Sequence, residues 1–145
     1  MSNPKKKLYI SCPMKGRTKE AIQHDMDRMH KVAEATFDQE LEVIPTYVEH
    51  KPPENVNQAI WCLGESIKKM SEADYFIGVR WCDGARGCRI EDEAAQAYGI
   101  PSTYVDCDTF MPGVNEQFHK EQAEHFAAEQ NHYADNTCTG KPVCG

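Results

Sequence analysis

Short apolar runs alternate along this chain with longer stretches in which apolar residues recur every three or four positions. Four short runs have the length and character of strands, at residues 7–11, 41–47, 73–81 and 101–105. Four longer stretches have helical periodicity, at residues 18–37, 56–70, 87–98 and 114–130. Thr18 is suited to cap the first helix, and Gly99 is suited to end the third. The pattern therefore predicts a regular alternation of strands and helices.

Such an alternation is typical of a parallel sheet covered by helices on both faces, because parallel strands are joined by long crossovers that usually contain a helix. We predict an α/β fold, flavodoxin-like or Rossmann-like, with a parallel sheet of four to five strands. Residues 106–113 are predicted to form a loop, although a fifth strand could lie within residues 106–111. The last helix has only a thin apolar stripe, so it could pack on a partner subunit.

The length of 145 residues predicts one domain, at residues 1–130, followed by a polar and flexible tail at residues 131–145. No apolar run approaches the roughly 20 residues of a membrane helix, and none near the N-terminus is long enough for a signal peptide. We therefore expect a cytoplasmic protein with no membrane partner. The net charge of −7 argues against a nucleic acid polymer as partner, so a phosphate-bearing ligand would need a local basic pocket.

The seven cysteines are an odd number without CxxC spacing, which does not favour a disulfide framework. Cys12, Cys62 and Cys107 are predicted to be small buried hydrophobic residues. Cys138 and Cys144 in the tail could be free, oxidised or half of a metal site. The six histidines lack zinc-binding spacing, so neither a metal nor a cofactor is predicted.

The loop after the first strand, residues 12–17, leads directly into a helix N-terminus. Free backbone N–H groups and the helix dipole favour an anion at such a position, and Lys15 and Arg17 would add positive charge. The spacing of its residues matches neither the GxGxxG nor the Walker pattern. Two interpretations therefore stay open, an anion site or a plain strand-to-helix turn.

The loop before the third helix and the first turns of that helix contain more residues that could bind or react with a ligand. Arg86 and Arg89 could hold a phosphate. Glu91 is predicted to project from the first helical turn toward the crevice at the carboxyl ends of the strands, where α/β sheets bind ligands. A carboxylate placed against a sugar carbon can act as a nucleophile in glycosyl transfer. For Asp92 and Glu93 a favourable interaction with the helix dipole is a sufficient explanation.

Three patterns in this chain resemble the nucleoside 2-deoxyribosyltransferase family, over about residues 7–105. They are Tyr-x-x-(Gly/Cys)-x-x-x-Gly from Tyr9 to Gly16, Ala-Asp before the third strand, and Gly-x-x-x-Glu-x-x-x-Ala-x-x-x-Gly-x-Pro from Gly87 to Pro101. Within the family the chain looks most like small phage and bacterial members and the 2′-deoxynucleoside 5′-monophosphate N-glycosidases. The segment around Glu91 is the most specific of the three.

The resemblance implies a flavodoxin-like fold and homo-oligomers whose sites are completed by a neighbouring subunit. It also implies that Glu91 attacks C1′ of a deoxyribose and displaces the base, with Tyr9 near the sugar or the attacking carboxylate. We therefore predict Glu91 and Tyr9 as catalytic residues. The predicted substrate-binding residues are Ser11, Cys12, Met14, Gly16, Arg17, Asp74, Asp83, Ala85, Arg86, Gly87 and Arg89.

Three positions depart from the family pattern. Cys12 replaces a glycine, and Arg89 replaces a small residue, which suggests a substrate end with more negative charge. Ser66 stands where the family has an aspartate that binds the sugar or assists the base. The predicted function is cleavage or exchange of the N-glycosidic bond of a (deoxy)nucleoside or its 5′-monophosphate. A non-catalytic nucleotide-binding module of the same fold is the alternative.

Overall fold

The sheet of this protein consists of four parallel strands. The computed structural model describes residues 4–46 and 51–135, with side chains up to residue 129. The strands are β1 (Lys6–Ile10), β2 (Leu41–Val43), β3 (Tyr75–Arg80) and β4 (Ser102–Asp106). They pair in the order β2-β1-β3-β4, and every pair is parallel. The predicted α/β fold, flavodoxin-like or Rossmann-like, is confirmed.

The helices within the described residues are α1 (Lys19–Phe37), α2 (Gln58–Met70), α3 (Arg86–Ala97), α4 (Cys107–Phe110) and α5 (Val114–Asp135). Side-chain caps mark the start of α1 and α2, and a glycine follows the end of α3. The Thr18 hydroxyl accepts a hydrogen bond from Ala21 N at 3.1 Å, and Asn57 Oδ1 accepts one from Ile60 N at 3.1 Å. Gly99 takes a positive φ of 72° just after α3, which a residue with a side chain rarely adopts.

Successive side chains of a strand point to opposite faces of the sheet, and this alternation builds two cores. On one face Ile10 packs in a cluster with Met29 of α1. On the other face Tyr9 packs with Met70 of α2 and Ala95 of α3. Helices therefore cover both faces, as predicted from the sequence.

Three predictions about where elements begin or end are wrong in the described residues. Residues 106–111 form neither the predicted loop nor a fifth strand, because the Asp106 carboxylate accepts from Thr109 N at 3.0 Å and caps the helical turn α4 instead. Strand β2 ends at Val43, since Pro45 has no N–H to continue the ladder. Helix α5 continues to Asp135, past the predicted boundary at residue 130. The remaining tail, residues 136–145 with two of the cysteines, lies outside the described residues.

A disulfide joins Cys82 and Cys107, which are 25 residues apart in the sequence. Cys107 is fully buried, but the prediction that it acts only as a small hydrophobic residue is wrong. The pairing follows from the register of the sheet, because Arg80 lies opposite Asp106 at the ends of β3 and β4. Cys12 and Cys62 are free, with Cys12 buried and Cys62 half-buried.

Candidate active site

The centre of the site lies where the carboxyl ends of β1 and β3 meet. The chain leaves β1 toward β2 on one side and returns to β3 on the other side. At such a switch point the connecting helices diverge and leave a crevice in which ligands bind. The backbone continues the pairing beyond the end of β1, since Ser11 N donates to Ile77 O at 2.9 Å. The side chains that follow these two strands therefore converge.

Glu91 lies at the bottom of this crevice and is only 7% exposed. Helix α3 begins at Arg86, so Glu91 falls on its second turn rather than on the predicted first turn. The Tyr9 hydroxyl donates to Glu91 Oε2 at 2.6 Å, and the Ser11 hydroxyl donates to Oε1 at 3.0 Å. Tyr9 and Ser11 are two residues apart, so both point to the face of the sheet that α3 covers. Both carboxylate oxygens are thus held in a fixed orientation.

Burial controls the protonation of this group. Loss of solvent raises the pKa of Glu91, and the hydrogen bonds from Tyr9 and Ser11 oppose that rise. Burial, together with the negative charge of Glu91, raises the pKa of Tyr9 far above its ordinary value, so the phenol stays a neutral hydrogen-bond donor. The nearby Ser66 side chain of α2 opposes the rise in the pKa of Tyr9. Ser66 therefore acts on the site through Tyr9.

Two free thiols lie near this edge of the sheet. Cys88 precedes Glu91 by three residues on α3, whereas Cys12 faces the core on the other side of the sheet. Burial raises the pKa of Cys88 to about 12 and that of Cys12 to about 11. Because the thiolate is the nucleophilic form of cysteine, neither thiol is activated at neutral pH. Glu91 is therefore the better candidate for a nucleophile.

Interactions of Arg17 with other residues of the protein hold the loop at residues 12–17 in place. The Arg17 guanidinium pairs with the buried Asp25 carboxylate of α1 and also donates to Pro13 O at 2.8 Å. Its charge is therefore compensated within the protein. Gly16 forms the turn with a positive φ of 72°, and Met14 is exposed. Of the two interpretations of this loop, the contacts favour a strand-to-helix turn over an anion site.

The loop after β3 borders a cavity of about 470 Å³. The cavity is lined by the end of β3, this loop and the first turns of α3, including Arg80, Asp83, Ala85, Cys88 and Arg89. Cys88 lines the cavity and lies one helical turn before Glu91, so the cavity and the buried carboxylate are neighbours along α3. A ligand in this cavity would lie beside Arg89 of the cavity wall. Cys88 would lie between that ligand and Glu91.

Three predicted residues lie away from this constellation. Asp74 precedes β3 at the amino end of the sheet, where its carboxylate accepts from Lys7 N at 2.9 Å. It is a structural partner of β1 rather than a neighbour of Glu91. Arg86 is the exposed first residue of α3, and Gly87 faces Leu63 of α2. Of the two predicted phosphate-binding arginines, only Arg89 lines the cavity.

Sequence reasoning missed three residues that shape the site. Cys88 could have been found from its spacing, since residues three apart on a helix share a face. Asp25 is an ordinary polar position of an amphipathic helix until the loop brings Arg17 against it. Asn115 of α5 is buried and contacts the loop after β3, and no local pattern distinguishes it from the other polar residues of that helix.

Comparisons with known proteins leave the family open. No family model, curated protein or solved structure gave a significant match to this chain. The resemblance to nucleoside 2-deoxyribosyltransferases therefore stays a prediction from the residues. Among the side chains that the structure describes, at residues 4–46 and 51–129, no three His, Cys, Asp or Glu residues are arranged to hold a metal ion. The helices of residues 4–46 and 51–135 include none that is both long and apolar enough to span a bilayer.

Proposed function

We propose that this protein cleaves or exchanges the N-glycosidic bond of a (deoxy)nucleoside or its 5′-monophosphate, with Glu91 as the nucleophile. The observation that carries the proposal is the buried Glu91 carboxylate, whose two oxygens are fixed by the Tyr9 and Ser11 hydroxyls. It lies at the switch point of a parallel sheet, which is where such folds bind ligands. A fixed carboxylate of this kind is suited to attack a sugar carbon.

The reaction proceeds in two steps. A Glu91 oxygen forms a bond to C1′ while the bond from C1′ to the base nitrogen breaks, and the base leaves with that electron pair and takes a proton from an acid or water. Water or a second base then attacks C1′, which releases the carboxylate. Tyr9 and Ser11 keep the carboxylate aligned because their hydroxyls are neutral donors. Alignment of this kind supplies much of the advantage of an enzyme-bound nucleophile.

The cavity supports a phosphorylated substrate. Its volume of about 470 Å³ is within the range of small-molecule pockets. Arg80 and Arg89 both line the cavity, and the Arg80 guanidinium lies over the Tyr104 ring at 3.8 Å. Arg89 is therefore the better candidate for phosphate, which guanidinium groups bind with paired hydrogen bonds. We therefore favour hydrolysis of a nucleoside monophosphate over base exchange between nucleosides.

We also propose that this protein forms a homo-oligomer. Helix α5 leaves Phe126 62% exposed, and an exposed aromatic side chain on a polar helix suits a contact with a second subunit. Light scattering of the purified protein tests this part, with Phe126→Ser as the variant expected to shift the mass toward the monomer. A cytoplasmic location is likewise part of the proposal.

The second candidate function is a non-catalytic nucleotide-binding module. Glycosidases ordinarily use a pair of carboxyl groups. Here the residue of α2 near the Tyr9 side chain is Ser66, which cannot act as a carboxylic acid. A module of this kind would be stabilised by nucleotides through mass action without consuming them.

The test is a chromatographic assay for free base. The protein is incubated with each deoxynucleoside and each deoxynucleoside 5′-monophosphate, and Glu91→Gln serves as the matched control. We expect base release from at least one monophosphate, and none with the variant. Equal release by both proteins would contradict the role of Glu91. Thermal stabilisation by nucleotides without any release would favour the binding module.

A further inference from the structure

The loop at residues 81–85, which we call the cavity loop, begins with a strained residue. Trp81 has a φ of 70°, a left-handed conformation that a bulky residue rarely adopts. Its side chain is 71% exposed, so packing of the indole does not hold the backbone in this conformation. Such strain persists only where surrounding contacts over-determine the backbone. The contacts around Trp81 therefore identify what sets the shape of the cavity.

Asn115 of α5 supplies those contacts. Its Nδ2 group donates to Trp81 O at 2.6 Å and to Asp108 Oδ1 at 3.0 Å, and its Oδ1 atom accepts from Asp83 N at 2.8 Å. The residue is only 8% exposed. One buried amide thus bonds to the strained residue and to Asp83 two positions later, and together with the disulfide at Cys82 it joins the cavity loop to α4. Both hydrogens of its amide group and its carbonyl oxygen are used.

Two neighbours on α5 reinforce this attachment. The ring of Phe118 lies so close to Gly84 that a side chain there would meet Phe118 Cδ2 at 2.5 Å. His119 Nε2 lies 2.8 Å from Asp83 Oδ2. Asn115, Phe118 and His119 occupy one face of α5, since their spacing is three and four residues. This face of α5 holds the cavity loop along most of its length.

We propose that Asn115 is a positioning residue that holds the cavity loop in the conformation that binds the substrate. This inference rests on the proposed function of the same site. Asn115 contacts the loop and α4, whereas Glu91 is held by Tyr9 and Ser11 of the β1 segment. Loss of Asn115 should therefore weaken binding of the substrate and leave the attack by Glu91 nearly unchanged.

The first experiment measures the loop itself and needs no substrate. Hydrogen exchange of the backbone amides is compared in the wild type, Asn115→Ala and Gln117→Ala. Gln117 is an exposed control on the same helix, where it bonds Glu121. We expect exchange in residues 81–85 to be faster by about tenfold or more in Asn115→Ala only. Unchanged exchange in this loop would overturn the proposal whatever the protein catalyses.

The second experiment measures kinetics with the nucleoside monophosphate that the base-release assay identifies. In Asn115→Ala we expect KM to rise about fivefold or more while kcat stays within about twofold, because uniform binding is lost. Asp108→Ala removes one partner of Asn115 from an exposed position, so this milder variant should fold and shift KM in the same direction. A fall in kcat at constant KM would overturn the proposal.

The two experiments separate failure of this inference from failure of the proposed function. If the wild type releases no base from any nucleotide, the proposed function fails while hydrogen exchange still decides whether Asn115 holds the loop. If exchange increases in Asn115→Ala but KM does not change, the loop is held without positioning the substrate, and the inference is overturned.

Discussion

The two loops at the carboxyl edge of the sheet use their arginines in opposite ways. In the loop at residues 12–17, Arg17 pairs with the buried Asp25, and its guanidinium group is occupied within the protein. In the cavity loop and the helix that follows it, Arg89 lines a cavity of about 470 Å³. Both arginines look alike in the sequence, since each lies near the N-terminus of a helix that follows a strand.

The difference shows that a positive charge near a helix N-terminus is not by itself an anion site. An arginine at such a position can bind an anionic ligand only if no acidic residue of a neighbouring element already pairs with its guanidinium group. Buried ion pairs persist because each partner would be costly to leave alone. We therefore expect substitutions in the loop at residues 12–17 to act on stability, and substitutions around the cavity to act on ligand binding.

The largest effect is expected at Glu91 of α3, which Tyr9 and Ser11 hold between the two loops' elements, β1 and α3. Glu91→Gln keeps the shape of the side chain but removes the nucleophile, so turnover should fall by roughly 10³-fold or more. The measurement is base release under saturating substrate. A variant with more than a tenth of wild-type turnover would refute the assigned role of Glu91 as the nucleophile.

The pH dependence of the free energy of unfolding provides a second test of the same variant. Burial raises the pKa of Glu91 above its ordinary value of 4.5, so the folded protein binds the proton more tightly than the unfolded chain. The free energy of unfolding of the wild type should therefore fall as the pH rises from about 4.5 to the pKa in the folded state, and then level off. Glu91→Gln should lack this decrease. Parallel pH profiles of the two melting temperatures would contradict this account of the site.

The second prediction concerns the disulfide that ties the cavity loop to α4. Reduction of the bond between Cys82 and Cys107 should lower the free energy of unfolding by about 3 kcal/mol, because the unfolded chain gains the freedom of an open loop. Urea titration with and without a reductant measures the change. Reductant should have no effect on Cys82→Ser, and a similar effect on both proteins would rule out this bond as the cause.

The third prediction addresses the loop at residues 12–17. Arg17→Ala should destabilise the protein by about 2 kcal/mol, since Asp25 loses one partner but keeps Arg28 at 3.3 Å. Urea titration gives the value, and Asp25→Asn should partly compensate in the double variant. If Arg17→Ala raised KM without loss of stability, the anion-site interpretation would regain support.

The smallest effect is expected for Arg89 on the cavity wall. Arg89→Ala should raise KM for a nucleoside monophosphate about tenfold, which corresponds to about 1.4 kcal/mol. KM for the nucleoside without phosphate should not change, and stability should stay within about 0.5 kcal/mol because Arg89 is exposed. Lys15→Ala is the matched control in the other loop. Equal effects on phosphorylated and unphosphorylated substrates would exclude phosphate as the partner of Arg89.

The sequence predicted the parts of this fold that depend on local patterns. The apolar periodicity located β1 and α1, and Thr18 and Gly99 mark helix boundaries through backbone chemistry that is the same in any fold. The segment 106–111 was predicted as a loop or a short strand, because its few apolar residues show no helical periodicity. The Asp106 side chain instead caps a helical turn there.

The candidate site was predicted less completely, for a physical reason. Glu91 was predicted because the end of a strand and the start of the following helix must lie at one edge of the sheet. Tyr9 was predicted from the resemblance to nucleoside 2-deoxyribosyltransferases. The partner of Arg17 and the contacts of Asn115 depend on how side chains from distant segments meet in the folded protein. Asp74 was misplaced, although its position before a strand already assigns it to the opposite edge.

The spacing of Tyr9 and Ser11 limits how this protein can change during evolution. Both donors to Glu91 come from alternate positions of one segment, while Leu8, Ile10 and Cys12 face the core beneath α1. Insertion or deletion of a single residue in β1 would exchange the two faces, bringing aliphatic side chains to the carboxylate and hydroxyls to the core. Changes of length should therefore accumulate in the connections between elements, and the length of β1 should be retained in any descendant that keeps the site.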